Sequence, residues 1–293
     1  MILNESLLQR QALPLNAKVS MSIKRIHEWY VHWNGKVYVS FSGGKDSTVL
    51  LHLVRKLYPE VPAVFFNTGI EFPEVIQFIR STDNVIWIKP ASSFKTVIEK
   101  YGYPVVSKEN SQKIHEIRTT KSDKLLHKRL YGADDKYRCG KLPEKWKYLI
   151  DAPFKISPTC CDVFKKRPAK KFEKESGLHS FVGTMAINSA FRRQSYLRYG
   201  CNSYDGKVQS RPLSFWLEED IWNYINGLRI PYSTIYDMGY KTTGCIYCMF
   251  GAHLEKEPNR FQSMKITHRK LYDYCINDLG LGVVLDTLGV NFK

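Results

Sequence analysis

At 293 residues, the chain has room for one large α/β domain, or for one domain and a smaller attachment. Its composition is ordinary for a globular protein, with 43% hydrophobic and 13% aromatic residues. No apolar run nears the roughly 20 residues of a membrane span, and no charged-then-apolar leader opens the chain, so a cytoplasmic protein without a membrane partner is expected. Forty-four basic residues against 28 acidic ones leave a net charge of +16, which favours a polyanionic partner, nucleic acid first, over a merely solubilised surface.

Residues 1–19 show little periodicity and read as an arm. From Met21 to Trp33, the residues Ile23, Ile26, Trp29, Tyr30 and Trp33 share one helical face, which predicts core packing. Val37 to Phe41 is a short β-branched and aromatic run suited to a buried strand. Ser42-Gly43-Gly44 then predicts a turn, Asp46-Ser47-Thr48 offers N-cap chemistry, and Val49 to Val54 continues as a helix. A strand, a glycine turn and a helix bring backbone N–H groups and the positive helix end to one spot, which suits a phosphate. Lys45 adds a cation, and Ser42 and Ser47 add hydroxyl donors. The alternative is an ordinary tight strand–helix turn.

A second strand, Pro62 to Asn67, runs into Thr68-Gly69 and a polar segment at the expected carboxyl edge of the sheet, where open α/β folds bind ligands. Val85 to Ile88 predicts a third strand, Phe94 to Tyr101 a helix, and Pro104 to Val106 a short extended piece. About 108–150 reads as a basic helical insertion carrying Lys113, Arg118, Lys121, Lys124, Lys128, Arg129, Lys136, Arg138 and Lys141, with Ile114, Ile117, Leu125 and Leu126 inward. It is the expected nucleic-acid surface, with a solvated helix face as the alternative. Ser180 to Thr184 predicts another strand. Arg192, Arg193 and Arg198 follow it closely enough to grip phosphate or sulfate oxygens, unless they pair along a surface helix. Glu218 to Ile225 predicts an acid-capped helix.

Seven cysteines in a cytosolic chain argue against disulfides. Cys160-Cys161 and Cys245-x-x-Cys248 offer four thiolates, which fit tetrahedral zinc or a [4Fe-4S] cluster. Adjacent cysteines diverge, which suits the separate iron corners of a cluster better than one zinc ion. Free or redox-active thiols are the third option. Cys201 and Cys275 are expected in the interior, and Cys139 has no assigned role. His253, Glu255 and Arg260 are candidates to surround the metal-binding residues.

Ser42-Gly43-Gly44-Lys45-Asp46-Ser47 after a strand resembles the PP-loop of the ATP pyrophosphatases. Asn67-Thr68-Gly69 with Phe72-Pro73-Glu74 is similar to the second signature of the phosphoadenylyl-sulfate (PAPS) reductase branch, with Asn67 in place of the usual Asp. The segment around Arg192 resembles that branch's G-x-R-x-x-x-S-x-x-R region, with Met185 where an arginine often stands. Arg211 to Trp216, the acidic helix, Ile230-Pro231, and Tyr236-x-x-Gly239-Tyr240 continue the likeness. The cysteine pattern resembles that of adenylyl-sulfate (APS) reductases, although the Glu-Cys-Gly-x-His motif near the end of those enzymes has no counterpart here. The whole pattern resembles the PAPS reductase-like proteins of phages and bacteria, which are related to DNA phosphorothioation and tRNA thiolation enzymes.

The resemblance implies an open, mainly parallel twisted α/β sheet with helices on both faces, of the adenine nucleotide alpha hydrolase type, and a C-terminal cysteine-rich metal-binding region. The implied division is an N-terminal arm and helix over 1–35, a PP-loop domain over 36–215, and a helical, cluster-binding region over 216–293. It implies nucleotide binding by Ser40, Ser42, Gly43, Gly44, Lys45, Asp46, Ser47, Asn67, Thr68, Gly69, Arg192, Arg193 and Arg198, with Ser42, Lys45 and Asp46 catalytic. Cys160, Cys161, Cys245 and Cys248 would hold a [4Fe-4S] cluster.

Three functions compete. One is an ATP pyrophosphatase that uses ATP with Mg²⁺ to adenylate an acceptor for sulfur incorporation into DNA or tRNA, with a cysteine desulfurase as sulfur donor. The second is a PAPS or APS reductase. The third is a nucleotide-binding regulator.

Overall fold

The computed structural model describes residues 2–90, 92–133 and 140–293. The expected roles of Lys136 and Arg138, and Cys139 itself, lie outside the described residues. In chain order the elements begin α1 (Asn4–Gln11), α2 (Leu15–His32), β1 (Val37–Ser40), α3 (Lys45–Leu57), β2 (Ala63–Phe66), α4 (Pro73–Arg80) and β3 (Val85–Ile88). They continue with α5 (Phe94–Tyr101), β4 (Val105–Val106), α6 (Lys108–Thr119), α7 (Asp123–Leu130), α8 (Arg167–Ser176), β5 (His179–Val182), α9 (Ala190–Tyr199), β6 (Asn202–Ser203) and β7 (Gln209–Ser210). The last are α10 (Glu218–Leu228), β8 (Met249–Phe250), α11 (Arg260–Thr267), α12 (Arg269–Asp273) and α13 (Leu281–Thr287).

The chain forms two compact units, one of residues 1–67, 71–89 and 168–243, the other of 68–70, 90–167 and 244–293. The acidic helix α10 therefore falls with the first unit, on the other side of the division expected at residue 216.

The first unit carries a six-stranded sheet in the order β3-β2-β1-β5-β7-β6, parallel except for the antiparallel β6–β7 pair. β1 is central, with Val39 opposite Ala63 on one side and Phe181 on the other. Val37, Tyr38 and Val39 are all buried although consecutive strand residues point to opposite faces, so both faces of the sheet are covered. Tyr38 meets Phe172 of α8 edge-on at 5.2 Å and donates to Glu173 at 3.0 Å. The chain leaves β1 toward β2 and returns as β5 on the opposite side. The carboxyl ends of β1 and β5 therefore flank a topological switch point.

The first 19 residues are not an arm. Leu7 of α1 is buried, and α2 begins at Leu15 rather than Met21. Lys18 is buried because its ammonium meets Asp220 Oδ2 of α10 at 2.6 Å, and the same carboxylate oxygen accepts from Leu217 N–H at 2.7 Å. Removing one partner of such a pair costs about 3–5 kcal/mol.

In the second unit, β4 and β8 form a parallel two-stranded ribbon, Val105 opposite Met249. The basic stretch becomes α6, α7 and a 3-10 turn at Glu144–Asp151, and several of its cations are structural rather than available to a nucleic acid. Arg118 donates to the carbonyls of Leu149, Ile150, Ala152 and Phe154 at 2.6–2.9 Å. Lys113 is buried against Lys141 O and Glu109, and Arg129 pairs with Glu116. Lys121, Lys124 and Lys128 remain exposed. Among the described residues, no helix is long and apolar enough to cross a membrane.

Candidate functional site

Two sites stand out, one in each unit. In the first unit, β1 ends at Ser40 and the chain turns through Ser42-Gly43-Gly44 into α3. The N-cap is Gly44, not the expected Asp46-Ser47-Thr48 group. The helix starts at Lys45, and Asp46 sits in its first turn. Gly43 needs its missing side chain twice over. Its φ is +70°, and an added Cβ would lie 2.9 Å from both Val75 and Ile79. At Gly44 an added Cβ would lie 2.5 Å from Thr243 Oγ1. Gly183, just past β5, approaches the same turn so closely that an added Cβ would stand 2.9 Å from Asp46 O.

The turn's polar groups are bonded to one another. Ser47 Oγ accepts from Ser42 N–H at 3.2 Å and donates to Gly44 O at 2.8 Å, and Thr48 Oγ1 donates to the same carbonyl at 3.1 Å. The N–H of Lys45 points out of the helix and donates to the Tyr236 hydroxyl at 2.8 Å. An oxygen therefore already occupies the end of α3 where a phosphate oxygen would bind.

Lys45 is buried with its ammonium 3.2 Å from Asp46 Oδ1, an ion-pair distance without hydrogen-bond geometry, and 3.4 Å from Glu218 Oε1. It also lies 5.9 Å over the Tyr236 ring. Burial works to lower the Lys45 pKa, but Asp46, Tyr236 and Glu218 outweigh it and the net shift is upward. Lys45 is thus a cation at neutral pH. Burial raises the Asp46 carboxyl, with Lys45 and Arg192 offsetting part of the effect.

The other expected nucleotide ligands divide. Arg192 is near enough to act on Asp46, and it donates to Asn188 Oδ1 at 2.9 Å. Arg193 instead grips Asn4 Oδ1 of α1 through Nε at 3.0 Å, and Arg198 lies over the Tyr199 ring at 5.1 Å. Asn67 follows β2 directly, bonded through its N–H to Ile88 O, while Thr68 and Gly69 fall with the second unit. Tyr236, Thr243, Glu218 and Gly183 were not expected at this site. The acidic helix that begins at Glu218 and the Tyr-x-x-Gly-Tyr pattern around Tyr236 were the signals that could have found two of them.

In the second unit, Cys160, Cys161, Cys245 and Cys248 line one pocket, walled by Ile70, Phe94, Pro104 and Phe164, with Lys165 also in the wall. The thiols act on one another. Hydrogen bonding to Cys161, then burial, pushes Cys160 up, while that bond and the cations Lys108 and Lys165 bring Cys161 down to about 6. Cys161 is the natural thiolate of the pair. Burial pushes Cys248 up.

The donor set is four sulfurs with no His, Asp or Glu in the wall. Among the described residues, no three His, Cys, Asp or Glu side chains are gathered closely enough to hold a metal ion. Four thiols are nonetheless the donor type that a thiolate-bound cluster takes. Arg260 braces the Cys245–Cys248 loop by donating from Nη1 to Cys248 O at 2.8 Å and from Nε to Glu255 Oε1 at 2.7 Å. His253 packs edge-on to Trp146 at 4.8 Å. Cys201 and Cys275 are buried, as expected, and burial pushes each thiol up to about 12.

A family model described as the phosphoadenosine phosphosulfate reductase domain matches residues 36–250. The chain belongs to this family. Among curated members, the adenosine 5'-phosphosulfate reductase of Staphylococcus haemolyticus is 28% identical over 230 residues, 76% of this chain and 74% of that enzyme. Two uncharacterized proteins of Methanocaldococcus jannaschii are 28% and 24% identical, but this chain spans only 36% and 46% of their length. The solved phosphoadenylyl-sulfate (PAPS) reductase of Candida auris, a phosphate complex, superposes with a TM-score of 0.47 at 18% identity, covering 84% of this chain and 96% of that one. The U34-tRNA thiolase NcsA of Methanococcus maripaludis, solved with its [4Fe-4S] cluster, gives a TM-score of 0.40 at 13% identity, covering 92% and 80%.

Proposed function

We propose that this member of the reductase-domain family is a PP-loop ATP pyrophosphatase that adenylates an acceptor for sulfur incorporation into nucleic acid, either a DNA phosphate or a tRNA base. The observation that carries this reading is the first turn of α3, where the Lys45 N–H already holds a hydroxyl oxygen beside a buried, charged ammonium. A triphosphate takes the place of the Tyr236 hydroxyl on that amide. The turn's N–H groups and Lys45 then stabilise the charge that grows on the leaving group. The acceptor oxygen attacks the α-phosphorus, the bond from that phosphorus to the bridging oxygen breaks, and its electron pair leaves with magnesium pyrophosphate.

Cys160, Cys161, Cys245 and Cys248 are assigned to a [4Fe-4S] cluster. When bound, the cluster supplies a site for holding or delivering sulfur. A cysteine desulfurase is the class of donor this reading implies.

A second reading, sulfonucleotide reduction, draws on the family description and on the names of the curated reductases. That reaction needs a thiol nucleophile. Outside the pocket, both described cysteines, Cys201 and Cys275, are buried with raised pKa values.

Anaerobically purified protein separates the two. The first reading expects pyrophosphate from ATP and its loss in Lys45→Ala. Sulfite from PAPS or APS with a thiol reductant, and no pyrophosphate from ATP, would favour the second.

A further inference from the structure

With Lys113, Arg118 and Arg129 committed to the fold, the strongest nucleic-acid surface moves from the basic stretch to α9. Phe191, in its first turn, is 79% exposed, and Ile187 in the preceding 3-10 turn is 58% exposed. At the other end of the helix, Tyr199 is 44% exposed beneath the Arg198 guanidinium. No acidic residue occurs between Glu175 and Asp205, so nothing in this stretch of sequence neutralises its arginines. Arg193 is held by Asn4 through both Nε and Nη2, whereas Arg192 gives Asn188 a single contact from Nη1, so Arg192 and Arg198 are the less committed cations. Arg192 is also within electrostatic reach of Asp46 in the first turn of α3.

Exposed rings interleaved with guanidinium groups form the usual platform for unpaired bases. A ring stacks on any base, while arginines track the phosphates. A duplex, whose bases are already stacked, offers Phe191 nothing.

We propose that α9 is the docking surface for a single-stranded nucleic acid, with a base stacked on Phe191 and flanking phosphates on Arg192 and Arg198. This rests on the reading that the acceptor is a nucleic acid, and it fixes the form of that acceptor as unpaired.

The test is fluorescence anisotropy of a short labelled single-stranded oligonucleotide with the full chain. Phe191→Ala should weaken binding by about fivefold or more, the scale of one lost stacking contact, and Phe191→Trp should restore it. The salt dependence of binding should keep its slope in Phe191→Ala, because a ring releases no counterions. In Arg198→Ala the slope should fall by about one. Reversing Lys121 and Lys124 to Glu should matter less than losing Phe191.

Undiminished affinity in Phe191→Ala, equal loss for a duplex probe, or a dominant effect of the lysine reversal would overturn the proposal. So would self-association of the parent chain that Phe191→Ala abolishes, which would make this face a protein contact. Oligonucleotide binding without pyrophosphate release from ATP would sink the pyrophosphatase reading and leave this surface standing. ATP cleavage with a silent Phe191 would do the reverse.

Discussion

The Ser42–Ser47 turn and the cysteine pocket are built in opposite ways. Ser42 to Ser47 are contiguous, and their polar groups are bonded to one another and to Tyr236 before any ligand arrives. The pocket gathers its sulfurs from two distant segments and its walls from others. One thiolate, Cys161, is helped by the Cys160 thiol, but ionising all four would set like charges against one another, and a bound cation is what would offset that repulsion. A contiguous, backbone-built site keeps its shape when empty. A site assembled from distant side chains depends on the fold of its unit and on what it binds.

The largest expected effect lies in the pocket. Cys245→Ala should reduce iron and sulfide in anaerobically purified protein to near zero while phosphate binding in the other unit persists. Full iron content in that variant would remove Cys245 from the ligand set.

Gly183→Ala probes the rigidity of the loop. The added methyl would press on Asp46 O, and overpacking of this kind costs about 1–3 kcal/mol, readable as a lower urea midpoint. An unchanged midpoint would show that the loop yields and is not preorganised.

Tyr236→Phe has a smaller effect of opposite sign on binding. It deletes the hydroxyl that competes for the Lys45 N–H, so pyrophosphate affinity by calorimetry should rise about two- to tenfold, the scale of one neutral hydrogen bond. Weaker binding would make Tyr236 a ligand rather than an occupant.

The smallest effect is a pH dependence. Because burial raises the Asp46 carboxyl, the folded chain holds that proton more tightly than the unfolded chain. Its contribution to stability therefore falls as pH rises from the ordinary value of 3.8 through the folded value. Asp46→Asn should gain stability relative to the parent across that window. A parallel pair of stability curves would contradict the burial of this carboxylate.

These two construction styles also explain what could be read from the sequence. The loop, β3 and α5 were legible because local period and turn chemistry decide them, and β3 and α5 span the residues expected. The Cys160-Cys161 pair and the Cys245-x-x-Cys248 spacing singled out four cysteines as a group, and the structure places all four in one pocket.

Apart from the local cap of α3 at Gly44, the misreadings involve long-range partners. Lys18 looked like part of a solvated arm because Asp220, which makes its burial tolerable, lies far along the chain. Arg118 read as a surface charge because four backbone carbonyls leave no mark in a sequence. Tyr236 stood in a recognisable motif, but its role depends on an amide far away in the sequence.

The most direct test of the central claim is phosphorus NMR of ATP incubated with the anaerobic protein, magnesium and single-stranded nucleic acid, beside Lys45→Ala. Pyrophosphate is expected, with the α-phosphorus passed to the acceptor or released as AMP, and neither product from the variant. ADP and inorganic phosphate, or unchanged ATP in both samples, would contradict that claim.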